Sequence, residues 1–70
     1  MILTADDFNN RDIYIDYPYE DAKFRWEHAT KKVYRRFYGQ KEIEIPHSSD
    51  LYHQGISAGK EISREEYFRD

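Results

Sequence analysis

Three histidines, four serines and several adjacent carboxylates are the side chains in this 70-residue sequence with reactive potential. His47, Asp50 and His53 follow one another at spacings of three, which would bring two imidazoles and a carboxylate toward one side of a helix beginning by residue 47. Such a set could bind zinc, but the stronger HExxH spacing does not occur, and His47 follows Pro46 where a loop is expected. Nucleophilic catalysis would need Ser48, Ser49, Ser57 or Ser63 beside a base and an oxyanion hole. Ser63 and the "SSD" at 48–50 read instead as helix-entry residues. The pairs Asp6-Asp7 and Glu65-Glu66 suit the first turn of a helix, where the dipole favours negative charge. General acid-base work needs a shielded carboxyl with a raised pKa, and no position offers one. "GISAG" at 55–59 has two glycines but no lysine in the phosphate-loop pattern. The expectation is a non-enzyme with no catalytic residue, no metal site and no cofactor.

A more distinctive stretch is "KKVYRRFYG" at 31–39, which sets four cations among four large apolar or aromatic side chains. As a surface, Lys31, Lys32, Tyr34, Arg35, Arg36 and Tyr38 could act as a stacking platform, with rings for unpaired bases and cations for phosphates. The alternative is structural: Val33 and Phe37 in the core, the arginines solvated or paired with Glu42, Glu44 or the acidic flanks. The RNP submotifs of RRM domains are not matched, and a net charge of −3 opposes nonspecific attraction to phosphate.

Charge is unevenly distributed. Residues 1–21 hold six acids and Arg11, residues 22–41 seven bases and Glu27, and residues 42–70 seven acids and three bases. Opposite blocks in one small domain can neutralise each other or form separate patches. There is no cysteine, so neither disulfides nor thiolate zinc can support the fold. Burial must carry it, and seven Tyr, four Phe and Trp26 supply much of the apolar area. "MILTADDF" has too short an apolar run for a signal peptide, and no later stretch approaches a membrane span. A cytoplasmic protein is expected.

The elements follow from local patterns. "LTADDF" at 3–8 and "ISREEYF" at 62–68 each place a hydroxyl cap after an apolar residue, with an acid three positions beyond the cap and an aromatic at the next position. Both read as helix starts, Ser63 with Glu66 as a full capping box and Thr4 with Asp7 as a shorter-armed one. "RDIYIDY" at 11–17 and "EIEIP" at 42–46 alternate like strands and stop at Pro18 and Pro46. "SSDLYHQGISAG" at 48–59 reads as a short helix, weakened by Gly55.

The segment between supports two readings. As a helix, Ala22, Trp26, Ala29, Val33 and Phe37 share a face, and Gly39 would end it, but Phe24, Tyr34 and Tyr38 then lack a place. As a hairpin, "KFRW" and "KVYRRFY" are strands around a loop near "EHATK", with Gly39-Gln40 as a tight turn into "KEIEI". That turn would set Arg35 opposite Glu44 and leave Arg36 beside Ile43. The hairpin is preferred, because it puts aromatic and β-branched residues in strands.

The sequence is thus read as one small α+β domain over residues 1–70: a short N-terminal helix, an antiparallel sheet of three or four strands, then two short helices covering one face. The expected role is binding of a macromolecular partner, most reasonably another protein, as an adaptor, inhibitor or phage-encoded modulator. The alternative is a nucleic-acid module using the basic aromatic segment 31–38. An open sheet face or edge would invite a dimer.

Overall fold

A computed structural model describes residues 3–69, so Met1 and Ile2 of the apolar start lie outside the described residues. The chain runs α1 (Ala5–Asn10), β1 (Ile13–Tyr17), β2 (Ala22–Glu27), β3 (Lys32–Phe37), β4 (Ile43–Ile45), α2 (Asp50–Ala58), β5 (Lys60–Glu61) and α3 (Arg64–Phe68). The sheet is antiparallel and five-stranded, in the order β4-β3-β2-β1-β5. The class is therefore α+β as expected, with one strand beyond the three or four anticipated. β5 escaped notice because two residues, Lys60 and Glu61, carry no alternation to read.

Both capping boxes form. The Thr4 hydroxyl accepts from the Asp7 amide while the Asp7 carboxylate accepts from the Thr4 amide, and Ser63 and Glu66 repeat the exchange at α3. The middle segment is the hairpin, not the helix. Two four-residue connections, 18–21 and 28–31, join β1 to β2 and β2 to β3, and each ends on a residue in the left-handed region, Asp21 (φ 52°) and Lys31 (φ 59°). The Lys31 amide closes its loop onto Glu27 O at 2.8 Å.

The third connection differs from expectation. Gly39 occupies the third position of a turn closed by the Gln40 amide on Phe37 O at 2.9 Å, and its φ of +74° is the left-handed value that favours glycine there. The chain then continues through Glu42 before β4 begins, which shifts β4 by one residue. Arg35 faces Ile43 and Tyr34 faces Glu44. A slip of one residue exchanges the two faces of a strand, so Arg35 and Arg36 trade the places foreseen for them.

One face of the sheet carries Ile13, Ile15, Ala22, Phe24, Val33 and Ile45, all buried, with α2 laid over it through Tyr52, and Tyr17 at its end. The Tyr52 ring meets Phe24 at 5.7 Å. α1 closes one side of this layer, where Trp26 Nε1 donates to Phe8 O at 2.8 Å and the two rings meet edge-on. The last two helices were expected on a single face, but α3 crosses to the other, where Tyr67 is fully buried against Tyr14. The reason lies in β5. By pairing with β1 it turns the chain around the sheet edge before Ser63 starts the helix.

Candidate functional site

Under α3 the sheet holds a charged network. Arg25 and Tyr34 are cross-strand partners, and the guanidinium lies over the Tyr34 ring, 4.2 Å from its centroid. Arg25 Nε and Nη2 donate to the two carboxylate oxygens of Glu42 at 3.1 and 2.6 Å, and Nη1 donates to Glu27 at 2.9 Å. The Tyr67 hydroxyl donates to Glu42 Oε1 at 2.9 Å. Burial opposes the charge on Arg25, and the bonds to Glu42 and Glu27 more than offset it, so its pKa is raised. Burial likewise works to raise the Glu42 carboxyl, but the bonds from Arg25 and Tyr67 hold it below the usual carboxylate range. Burial, then the bond to Glu42, pushes the Tyr67 hydroxyl up. The arrangement is that of a structural clamp, with every acceptor facing a donor.

The six residues singled out in the basic segment do not share one surface. Lys32, Tyr34 and Arg36 point to the α3 side, where Lys32 lies 3.8 Å from Glu44 and Arg36 Nη1 donates to Tyr67 O at 3.2 Å. Lys31 sits in the β2–β3 loop, its carbonyl accepting from His47 Nε2 at 2.6 Å. Tyr38 lies in the turn after β3, its hydroxyl donating to Asp16, and burial and then that bond push its pKa up to about 12. Arg35 alone projects to the α2 side, beside Phe37 and Ile43. The expected Arg35–Glu44 pair is replaced by Lys32–Glu44.

Sequence reasoning assigned no site role to Arg25 or Tyr67 and offered Glu42 only as a partner for the arginines of segment 31–39. The nearest signal was Arg25 and Glu27 two apart on one strand face; the link to Glu42 depends on the turn around Gly39.

An open groove of about 650 Å³ lies where α3 leaves the sheet, lined by Asp16, Lys23, Tyr38, Lys60, Glu66 and Arg69 among others. Lys23 Nζ donates to the Glu66 and Arg69 carbonyls at 2.7 and 2.8 Å, so its charge stabilises the end of α3. His47 and His53 spend ring nitrogens on backbone carbonyls, and among the described residues no group of three or more potential ligands could hold a metal. No helix among them is long and apolar enough to cross a membrane. Exposed rings and chains include Tyr19 (81% exposed), Ile43 (51%), Phe68 and Tyr38.

The family model described as the Tis1 immunity protein matches residues 1–70. The chain belongs to this family. It is 45% identical over 62 residues to the immune protein Tis1 of Pseudomonas aeruginosa (strain UCBPP-PA14), covering 86% of this chain and 80% of that protein. Its fold superposes with a TM-score of 0.90 on a chain from the crystal structure of the complex between the type VI effector Tas1 and its immunity protein, at 40% identity and over 96% of this chain and 91% of that one. The Tis1-family fold is thus the capped, five-stranded sheet described above.

Proposed function

We propose that this protein is the immunity partner of a type VI effector of the Tas1 kind, and that it neutralises the effector by binding it, without catalysis. The observation that carries the reading is the match to the Tis1 immunity family along residues 1–70. The physical design agrees with it. Helices pack on both faces of the sheet, both short terminal helices are capped, and the buried Arg25 is clamped, so the surface is held ready and little ordering is needed on association. Exposed Tyr19, Tyr38 and Phe68 are the side-chain types that interfaces favour. The lack of cysteine suits a reducing cytoplasm, which we take as the site of action.

The nucleic-acid alternative draws no support. Tyr34 lies under Arg25, so that ring is already committed, and Arg35 projects to the opposite face from Lys32, Tyr34 and Arg36, so the segment presents no single stacking platform. Expressing Tas1 with and without this protein tests the reading. Cells should be protected, and the two proteins should elute together on size exclusion. No protection and no complex would end it.

A further inference from the structure

The sheet face under α2 is apolar except at one place. Across β1 to β4 it presents eleven side chains, and Arg35 is the one that is charged. The other charged strand residue on that face, Glu61 of β5, stands in the same row three strands away, roughly 14 Å by strand spacing, and is bonded to Arg11. α2 packs chiefly over β1 and β2, which leaves the strip along β3 and β4 partly open, with Ile43 exposed and Phe37 and Arg35 half-buried. The Arg35 guanidinium lies over the Phe37 ring, 4.4 Å from its centroid. Its Nε is buried without a hydrogen-bond partner, and none of the ion pairs among the described residues involves it. A cation with a buried, unsatisfied donor on an apolar surface is a cost to the free protein that an aliphatic residue would avoid.

We propose that Arg35, framed by Phe37 and Ile43, anchors a carboxylate side chain of the bound effector. This rests on the immunity reading and names the surface it uses. The planar guanidinium fork matches a carboxylate in two hydrogen bonds, and the apolar frame would exclude water around them. Among the described residues no acid pairs with Arg35, and Glu61 on the same face is bonded to Arg11, so complementarity calls for a negative partner group. The contrast with Arg25 is direct: among the described residues one arginine is paired with two carboxylates and the other with none.

The test measures affinity for Tas1 and melting temperature of the wild type, R35M, R35E and, as a control on the opposite face, K32M. R35M should weaken binding by about tenfold or more, R35E should weaken it further, and K32M should stay within about twofold of the wild type. R35M should melt at the same temperature as the wild type or higher, because it removes an unsatisfied donor. Binding by R35M within about twofold of wild type would overturn the proposal. So would R35E binding as well as R35M, or a marked loss of stability in R35M, since Arg35 would then be a packing residue. A wild-type dimer, or oligonucleotide binding, abolished by R35M would assign the strip to another occupant and overturn it too. Failure of the wild type to bind Tas1 would instead overturn the immunity reading itself, and this proposal with it.

Discussion

Gly55 illustrates how one residue's identity is set by its neighbours. A Cβ there would come within 3.0 Å of the Phe24 ring, which is completely buried and has nowhere to move. Glycine costs a helix about 1 kcal/mol relative to alanine, yet here it lets α2 settle onto the sheet. Gly55→Ala should therefore destabilise the protein by about 1–3 kcal/mol despite its better helix propensity, a change readable in thermal or urea unfolding. Gly59, at the end of α2, has an ordinary negative φ, and its reason is also contact: a Cβ would lie 2.6 Å from Asp16 O. Arg25 belongs at this scale as well. Its side chain is 11% exposed and satisfied by two carboxylates, whereas Arg35, ten residues on, is satisfied by none among the described residues.

At the scale of elements, the two shortest helices depend most on their caps. α3 has five residues, too few to persist alone, yet it buries Tyr67 and covers the Arg25–Glu42 network. Ser63→Ala should cost about 1 kcal/mol and raise amide exchange across α3 before the rest of the fold is affected. Restoring the hydroxyl with Ser63→Thr should recover most of the loss. These caps were legible in the sequence, because Thr4 with Asp7 and Ser63 with Glu66 interact within four residues. The alternation of Ile13 with Ile15 and of Ile43 with Ile45 was equally local. The register of β4 was not legible. It turns on whether Gly39 stands first or later in its turn, and one residue of difference decides which arginine enters the charged network's side and which faces Ile43. The side taken by α3 was hidden for a related reason, since a two-residue strand carries the chain around the edge. The sequence singled out the basic aromatic segment, but its division between two faces was not legible.

For the molecule as a whole, the charge blocks along the chain are largely stitched together. Basic Arg25 and Lys32 of the middle block meet acidic Glu42 and Glu44, and Arg11 joins Asp7 of α1 to Glu61 of β5. The Glu42 carboxyl is held below its ordinary value of 4.5, as are those of Glu27 and Glu66. A carboxyl depressed on folding adds stability that is complete above its unfolded pKa and is lost as pH falls through the folded one. Melting temperature should thus hold near neutrality and drop as the solution is acidified below about pH 4. Glu42→Gln should flatten part of that acid limb while costing about 1.5–3 kcal/mol at pH 7, where Arg25 loses its main partner. Four of the five strands are neighbours both in sequence and in the sheet, joined by short connections, and β5 alone closes across the distance from residue 61 back to residue 15. Such a meander pairs strands that are near in sequence, and small domains built on a sheet fold in milliseconds to seconds. At a synthesis rate of about 5–20 residues per second, 70 residues take several seconds to make. In the proposed immunity role, the delay between gene and protection would then be set at least as much by the ribosome as by the fold.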